Sequence, residues 1–341
     1  MGNAVAHLPR TNHPDRFNFH VQLPLPCRIP RQYRQTGAGG KRIKAVNFAS
    51  NARIRKISIS MTTRWRRVRK RGLDMSFHQT NSGRESACQY ANSKLWFRGP
   101  PGTLDQPYVA CLGGEETFGR FVDCPFPAVL EKRLRKPCAN FGSLFCGIEA
   151  LSTDPGVLNL ANQSDLCVLQ VPDLLRQSNR FYRVHPRRND RFLEPTADLL
   201  GLYPDVDFTE IHFVRHLLEQ LSATEDARFE VVAQELREVW IRATGDLIER
   251  IEPGVVLLWL HVQRQTGSHV DHVVPDAAMI EQLRPLCADV VEVSVAVSAR
   301  SDALEDVMFG TLQQPIAEHM IGPSAHREIA EHLLIALRNL N

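Results

Sequence analysis

Short apolar runs alternate with amphipathic segments along the chain from about residue 75 to its end. Five apolar runs have the length of buried strands and lie at residues 108–112, 138–141, 166–171, 255–260 and 289–295. Between them, apolar residues recur at spacings of three and four, which predicts helices at residues 126–134, 148–151, 155–161, 207–221, 223–252, 276–284 and 324–340. Strands that are apolar throughout and separated by helices indicate a parallel sheet covered on both faces.

The order of these elements predicts an α/β fold of the flavodoxin-like, doubly wound type. About five parallel strands would form the sheet, with a long helical insertion between strands three and four. The polar stretch at residues 178–192 is expected to lie in a loop. Ligands of such folds bind beyond the carboxyl ends of the strands. We therefore expect one rim of the sheet to hold the start of the last helix and the loops at residues 113–119, 142–147, 172–192 and 261–275.

The net charge of +3 is the sum of a strongly positive charge on one segment and a negative charge on the other. Residues 1–74 carry 17 basic residues against two acidic ones, whereas the remainder carries 24 basic residues against 36 acidic ones. Three interpretations of residues 1–74 stay open: an overextended start site that leaves them outside the natural protein, a disordered basic tail, and an arm for nucleic acid or an anionic membrane. The acidic balance of the remainder argues against nucleic acid as its partner. We expect residues 75–341 to form a single domain.

Composition excludes several classes of protein. Hydrophobic residues make up 43% of the chain and charged residues 23%, which is ordinary for a globular protein. The longest apolar run is far shorter than the ~20 residues of a membrane-spanning helix, and the proline-rich N-terminus lacks the apolar core of a secretory signal. None of the eight cysteines forms a C-x-x-C pair. These features favour a cytoplasmic protein with reduced thiols and no membrane association.

No cofactor and no metal ion are expected from the motifs. The glycine-bounded loop after the first predicted strand lacks both the G-x-G-x-x-G spacing and the Gly-Lys-Thr ending of a P-loop. His212 and His216 are four residues apart, and His269, Asp271 and His272 lie within four residues. Neither group has the glutamate of an H-E-x-x-H motif or a cysteine beside it, so we interpret both as surface groups. The sequence leaves the oligomeric state open.

The loop after the first predicted strand is the first candidate for chemistry. It reads Gly-Gly-Glu-Glu-Thr-Phe-Gly from Gly113 to Gly119. Glycines let the backbone approach a ligand closely, and Glu115, Glu116 and Thr117 add two carboxylates and a hydroxyl. A plain strand-to-helix turn explains the glycines equally well, and that alternative stays open.

A basic segment inside the acidic domain is the second candidate. Its six basic side chains are those of Arg180, Arg183, His185, Arg187, Arg188 and Arg191. Guanidinium groups bind phosphate, sulfate and carboxylate in a bidentate manner, which predicts a site for an anionic ligand. The alternative is a surface loop whose arginines pair with neighbouring acidic residues, since such exposed pairs are common.

The sequence resembles two known groups of proteins. The loop at residues 113–119 matches the spacing of the G-D-S-x-T-x-G block of SGNH hydrolases, residues 140–142 resemble their second block, and His326 lies where their final histidine does. More closely, residues 75–341 resemble an uncharacterised, mainly alphaproteobacterial family. Its members have similar stretches at residues 97–100, 116–121, 125–127, 178–182, 184–192 and 207–210.

The resemblance to SGNH hydrolases implies the same α/β fold and a set of site residues. The implied residues are the side chains of Glu115, Thr117, Asn179 and His326, with Gly113 and Gly142 as sources of backbone N–H groups for an oxyanion. Glu115 and His326 would be the ionisable pair. We expect these two residues and the basic segment to converge on one pocket.

The sequence departs from the hydrolase pattern in ways that bear on function. Glu115 stands where the pattern has its serine, Gly114 where it has an aspartate, and Pro323 where an aspartate precedes His326 by three residues. Acyl-enzyme chemistry needs an activated hydroxyl or thiol beside a base, so serine-type hydrolysis is not expected. Two functions stay open: an SGNH-like protein that acts on an acylated or anionic glycan-type substrate, and a binding protein that holds an anionic ligand on the same scaffold without turnover.

Overall fold

The computed structural model describes residues 87–90, 92–264, 267–300, 307 and 313–340, so the basic segment 1–74 lies outside the described residues. The strands in the described part are β1 (Ala87–Cys88), β2 (Phe97–Arg98), β3 (Val109–Gly113), β4 (Cys138–Gly142), β5 (Leu166–Gln170), β6 (Tyr182–His185), β7 (Arg188–Pro195), β8 (Val255–Gln263) and β9 (Asp289–Ala296). The α-helices are α1 (Glu115–Phe118), α2 (Phe126–Leu134), α3 (Ile148–Thr153), α4 (Pro155–Asn162), α5 (Ala197–Leu202), α6 (Val214–Thr224), α7 (Asp226–Arg250), α8 (Ala277–Leu283), α9 (Gln314–Ala317) and α10 (Pro323–Asn339).

A five-stranded parallel sheet with the order β4-β3-β5-β8-β9 forms the centre of the fold. Numbered by their appearance in the chain, these five strands lie in the order 2-1-3-4-5, which is the flavodoxin-like arrangement. The predicted fold class is therefore confirmed. The strand order reverses between β3 and β5, so their carboxyl ends flank the crevice in which folds of this type bind ligands.

Apolar side chains cover both faces of the sheet. Leu112 and Leu169 belong to the core that packs against α3, α4 and α7, whereas Cys111 and Val168 belong to the core that packs against α2 and α10. Neighbouring residues fall into different cores because successive side chains of a strand point to opposite faces. Within the described part of the chain, no helix is both long enough and apolar enough to cross a membrane.

Two segments differ from their sequence-based prediction. The polar stretch at residues 178–192, expected to be a loop, contributes most of the antiparallel hairpin formed by β6 and β7. Tyr182 and Val184 are buried while Arg183 between them is exposed, an alternation that the many arginines obscure. The helix expected from residue 207 begins only at Val214. The carboxylate of Asp207 accepts hydrogen bonds from the N–H and hydroxyl of Thr209, which holds that stretch in a turn.

The insertion between β5 and β8 contains the β6–β7 hairpin and helices α5 to α7. The indole N–H of the wholly buried Trp240 on α7 donates to the carbonyl oxygen of Pro172 at 3.0 Å. The side-chain amide of Gln177 donates to the carbonyl oxygens of Leu174 and Leu236. The segment after β5 is thereby fixed between the sheet and α7.

Candidate functional site

A single helical turn, α1, stands on the carboxyl end of β3. Gly119 ends it with a φ of 67°, in the left-handed region that favours glycine. The buried guanidinium of Arg98 donates to the carbonyl oxygens of Phe118, Gly119 and Val122, which satisfies the end of the turn. The loop is therefore a fixed structure that presents its two glutamates at the rim formed by the carboxyl ends of β3, β4, β5 and β8, called here the carboxyl-end rim.

Gln170, the last residue of β5, organises this turn. Its Oε1 accepts from the N–H of Gly114 at 3.2 Å, the N–H of Thr117 at 3.1 Å and the hydroxyl of Thr117 at 2.6 Å. Its Nε2 donates to Oε2 of Glu116 at 2.7 Å. Thr117 is fully buried, and its hydroxyl ties α1 to β5. Gln170 was not predicted as a site residue. The feature that could have indicated it is that it is the single polar residue near the end of an otherwise apolar run.

Two donors hold the carboxylate of Glu115. Its Oε1 accepts from Nη1 of Arg176 at 2.6 Å and from the backbone N–H of Phe145 at 3.1 Å. Nε of Arg176 also lies 3.2 Å from Oδ2 of Asp173. Burial by itself lowers the pKa of Arg176, but the carboxylates of Glu115 and Asp173 outweigh it and raise that pKa, so the guanidinium stays charged.

Glu116 faces a second arginine at the same rim. Its Oε1 accepts from Nη2 of Arg264 at 2.6 Å, while its other oxygen is bound by Gln170. Burial by itself raises the pKa of Glu116, but Arg264 and the Gln170 hydrogen bond outweigh it and hold that pKa below its ordinary value. Arg264 directly follows β8, so this ion pair joins the ends of β3 and β8. Neither arginine was singled out by the sequence.

His326 is wholly buried in the first turn of α10. Its Nδ1 accepts from the backbone N–H of Phe126 at 3.1 Å, and its Nε2 has no hydrogen-bond partner among the described residues. A neutral imidazole that accepts at Nδ1 carries its proton on Nε2. Burial lowers the pKa of His326 to about 3, with Glu116 opposing and Arg98 adding to that shift, so the ring is neutral at pH 7.

The described contacts place Glu115 and His326 in different hydrogen-bond networks. Glu115 is bound to Arg176 and Phe145, whereas the carboxylate that acts electrostatically on His326 is that of Glu116. Two cavities of about 380 and 410 Å³ lie away from both residues, the first beside Arg135 and Lys136 and the second beside Arg180 and Glu235. A pocket shared by Glu115 and His326 stays a prediction.

The two glycines with expected oxyanion roles are closely packed. The N–H of Gly142 donates to Oδ1 of Asn140 at 2.9 Å, so it is engaged within the protein. A Cβ at Gly142 would collide with the backbone of Phe118, and one at Gly113 would collide with the hydroxyl of Thr117. Both positions therefore need glycine because α1 approaches the ends of β3 and β4 too closely for a side chain.

Asn179 lies in the turn before β6. Its Oδ1 accepts from the N–H groups of Phe181 at 2.8 Å and Tyr182 at 3.2 Å, and its Nδ2 donates to the carbonyl oxygen of Gln177. The side chain is buried, and both its polar atoms bind the local backbone. Its observed contacts are those of a turn-forming asparagine.

The structure spreads the basic segment over the hairpin. Most of its members contact nearby residues. Arg180 pairs with Asp198, and Arg183 donates to the carbonyl oxygens of Asn179 and Tyr182. Arg191 lies over the ring of Phe213, and Nδ1 of His185 accepts from the N–H groups of Arg187 and Arg188. Arg187 is exposed at the hairpin tip. Arg188 pairs with Asp190 at 2.9 Å and lies 4.5 Å from the ring centroid of Phe145. The segment therefore reaches the neighbourhood of Glu115 through Arg188.

Asn189 fastens the hairpin to the segment between β4 and α3. Its Oδ1 accepts from the N–H of Gly147 at 2.7 Å and the N–H of Ala150 at 3.0 Å, and its Nδ2 donates to the carbonyl oxygen of His185 at 3.1 Å. Asn189 is fully buried. These bonds fix the hairpin tip beside Phe145.

Two members of the second histidine group, His269 and Asp271, contact charged neighbours on other elements. Nδ1 of His269 lies 3.4 Å from a carboxylate oxygen of Asp226, and Asp271 accepts from Arg215 at 2.5 Å. Among the residues that the structure describes, no group of three or more His, Cys, Asp or Glu side chains is arranged to hold a metal ion.

Three solved structures are similar to this chain at low identity. A G-D-S-L family protein from Desulfitobacterium hafniense DCB-2 is 11% identical with a TM-score of 0.35, covering 68% of this chain and 99% of its own. The lipase Lip_vut3 from a goat rumen metagenome is 10% identical with a TM-score of 0.35, covering 68% and 97%. LAE5, an α/β hydrolase from the metagenome of Lake Arreo, Spain, is 15% identical with a TM-score of 0.31, covering 70% and 100%. At these scores the fold assignment rests on the strand order described above.

Family membership comes from the sequence of the acidic part of the chain. No curated protein matches the chain. A family model described as a domain of unknown function, DUF6473, matches residues 75–341. That match covers well over half of the chain and includes the whole sheet and the site around α1. The chain belongs to the DUF6473 family.

Proposed function

We propose that this domain binds an anionic or glycan-type small molecule at the carboxyl-end rim and does not carry out serine-type acyl transfer. The observation that carries this proposal is the state of Glu115. A carboxylate stands where the hydrolase pattern has a hydroxyl, and Arg176 and the N–H of Phe145 hold it in place. An anchored carboxylate with a charged arginine at 2.6 Å is a poor nucleophile toward an ester, since its negative charge is already stabilised.

The environment of His326 supports the same conclusion. A general base must offer a lone pair to the proton that it removes. The lone pair on Nδ1 is used by the N–H of Phe126, and Nε2 carries the proton. Pro323 stands where the hydrolase pattern has the aspartate that would orient the imidazole. A histidine whose pKa lies at about 3 is also too weak a base for chemistry at pH 7.

The side chains at the rim suit a ligand with hydroxyl and acidic groups. Arg264 is half exposed, and a guanidinium that binds one carboxylate oxygen keeps other N–H groups for a ligand. The carboxylate of Glu116 can accept hydrogen bonds from the hydroxyl groups of a ligand. A guanidinium and a carboxylate side by side favour a ligand that bears both acidic and hydroxyl groups, such as an acidic sugar.

Binding is tested by thermal shift and calorimetry on the full chain with sulfate, phosphate, glucuronate and sugar phosphates. Arg264→Ala is expected to weaken binding of the stabilising ligand about tenfold, because it removes a charge-assisted hydrogen bond worth about 1.5 kcal/mol. Arg284→Ala is the matched control. Arg284 is 50% exposed against 52% for Arg264 and also pairs with a glutamate, but it lies before β9 at the amino ends of the strands. No binding of any of these ligands, or equal weakening by both variants, contradicts the proposal.

Turnover is tested with p-nitrophenyl acetate and acetylated sugars. The wild-type protein and Glu115→Ser are both expected to hydrolyse these esters no faster than buffer, since a serine at residue 115 would still lack a histidine base. Hydrolysis by the wild-type protein that is lost in His326→Asn would overturn the non-catalytic assignment.

A further inference from the structure

The donors that hold Glu115 belong to parts of the fold that do not depend on it. We propose that Nη1 of Arg176 and the backbone N–H of Phe145, the Arg176–Phe145 donor pair, form a binding site for a carboxylate, which Glu115 fills and which a ligand's carboxylate occupies when the Glu115 side chain turns away. This inference rests on the proposed function and narrows its ligand to one that bears a carboxylate.

The geometry of the donor pair is that of a small-anion site. A charged N–H at 2.6 Å and a backbone N–H at 3.1 Å converge on one oxygen, Oε1 of Glu115. The side chains of Arg176 and Glu115 are 23% and 17% exposed, so the site is sheltered but open to solvent. Hydrogen bonds between charged groups are strongest where water is partly excluded.

The N–H of Phe145 is held in place by its surroundings. Phe145 has a φ of 60°, a conformation that residues with side chains rarely adopt. The guanidinium of Arg188 lies over its ring, and two residues later the N–H of Gly147 is bound by Asn189. Strained backbone of this kind persists only where the surrounding structure fixes it, and it is concentrated at ligand sites.

The guanidinium of Arg176 is likewise fixed without the help of Glu115. Its Nε lies 3.2 Å from Oδ2 of Asp173. The segment that carries it is anchored to α7 by Trp240 and Gln177. The site would therefore keep its shape when Glu115 leaves it.

The neighbouring thiol does not compete for this site. Cys146 donates its S–H towards the carbonyl oxygens of Ser143 at 3.0 Å and Gly113 at 3.4 Å. Burial, with a further contribution from Glu115 and an opposing one from Arg176, raises the pKa of Cys146 to about 12. The thiol is therefore neutral at pH 7 and does not act as a competing anion beside the donor pair.

Departure of Glu115 leaves α1 supported. Gln170 binds the N–H groups of Gly114 and Thr117, and Arg98 binds the carbonyl oxygens at the other end of the turn. A change of side-chain rotamer at Glu115 thus exposes the donor pair without unfolding α1. Two carboxylates would repel each other at one donor pair, so Glu115 and the ligand exclude one another.

The test is rescue of Glu115→Ala by acetate. The melting temperature of this variant is expected to lie below that of the wild-type protein and to rise with sodium acetate in a saturable manner, relative to sodium chloride of equal ionic strength at pH 7. Addition of Arg176→Gln to this variant should abolish the acetate effect. Glu281→Ala is the matched control, because Glu281 also pairs with an arginine but is 60% exposed, so acetate should not stabilise it beyond chloride. Equal acetate effects on Glu115→Ala and Glu281→Ala, or rescue by sulfate in place of acetate, overturn the proposal.

Glu115→Gln provides a second test of the carboxylate site in case the alanine variant does not fold. Its amide oxygen still accepts from both donors, but it is neutral and easier to displace. Acetate is expected to bind this variant at least tenfold more tightly than the wild-type protein in calorimetry, and equal affinities overturn the proposal. If a ligand binds at Arg264 but acetate has no effect on the Glu115 variants, the proposed function stands and this carboxylate site is rejected. If acetate acts on these variants but no ligand binds at Arg264, the carboxylate site stands and the proposed function is rejected.

Discussion

The backbone N–H of Phe126 donates to Nδ1 of His326 at 3.1 Å, across a sequence separation of 200 residues. This bond joins the first residue of α2 to the first turn of α10. The two rings are stacked with centroids 6.2 Å apart. The bond sets the tautomer of the imidazole and leaves its second nitrogen as a buried donor, so His326 serves the packing of α10 on α2 in a neutral form.

The buried imidazole predicts a specific loss of stability in acid. An ordinary histidine of the unfolded chain binds a proton below a pKa of about 6.5, whereas burial keeps His326 unprotonated in the folded protein down to about pH 3. The unfolded state therefore binds more protons between these values, and stability is lost as the pH falls below 6.5. At pH 5 the loss amounts to about 2 kcal/mol.

Urea unfolding at pH 7 and pH 5 measures this loss. His326→Asn is the comparison, because its side-chain oxygen accepts from the N–H of Phe126 and does not titrate. The wild-type protein should lose about 2 kcal/mol more than the variant between the two pH values. Equal losses would contradict the neutral, buried state of His326.

Replacement of Gln170 by glutamate should destabilise the site in a pH-dependent manner. Gln170→Glu keeps the oxygen that binds Gly114 and Thr117, but it removes the Nε2 donor and places a second carboxylate beside Glu116. We expect a loss of about 2 kcal/mol at pH 7 and a raised pKa of Glu116. The loss should shrink towards pH 4 as one carboxylate of the pair is protonated.

Denaturant unfolding across this pH range checks the prediction. Gln282→Glu on the surface of α8 changes the charge in the same way at an exposed amide, and it should change stability by less than about 0.5 kcal/mol. A pH-independent loss in Gln170→Glu would show that repulsion from Glu116 is not its cause.

Asn189 is expected to be the main attachment of the hairpin tip. Asn189→Ala removes the acceptor of two buried N–H groups, those of Gly147 and Ala150, and should cost about 2–4 kcal/mol. Asn189→Asp keeps both acceptor bonds and, once its buried carboxyl group is protonated, can also donate to the carbonyl oxygen of His185, so at pH 4 it should cost less than the alanine variant. Guanidinium unfolding measures the two costs, and hydrogen exchange should speed up in β6 and β7 of the alanine variant. Equal costs for the two variants would argue against this attachment.

Two glycine substitutions should have opposite effects on stability. Gly142→Ala places a Cβ against the backbone N of Phe118 and should cost about 3 kcal/mol. Gly245→Ala lies inside α7, where the nearest atoms to a new Cβ are 3.6 Å away, and should stabilise the protein by about 0.5–1 kcal/mol. Thermal unfolding of both variants measures these changes. Tolerance of alanine at residue 142 would contradict the close approach of α1 to β4.

The contrast between α2 and the β6–β7 hairpin shows which elements the local sequence pattern can predict and which it cannot. The predicted bounds of α2, residues 126–134, match the structure, because its apolar spacing and early prolines act locally. The hairpin was missed because its arginines and Asp190 conceal the alternation of Tyr182, Val184 and Phe192, which is visible only when those side chains have a core to face. Its pairing also depends on Asn189, whose partners lie about 40 residues earlier in the chain.

The sequence by itself determined the fold class, because apolar runs separated by helical spacing admit few arrangements, and it predicted the rim of strand ends at which we propose a site. It also determined that the serine of the resembled hydrolases is absent. Tertiary structure decided the partners of each candidate: Arg176 and Phe145 for Glu115, Gln170 and Arg264 for Glu116, and Phe126 for His326. The physical reason is that hydrogen bonds and ion pairs need atoms within about 3 Å, and here those atoms belong to residues between 30 and 200 positions apart, which only the folded chain brings together.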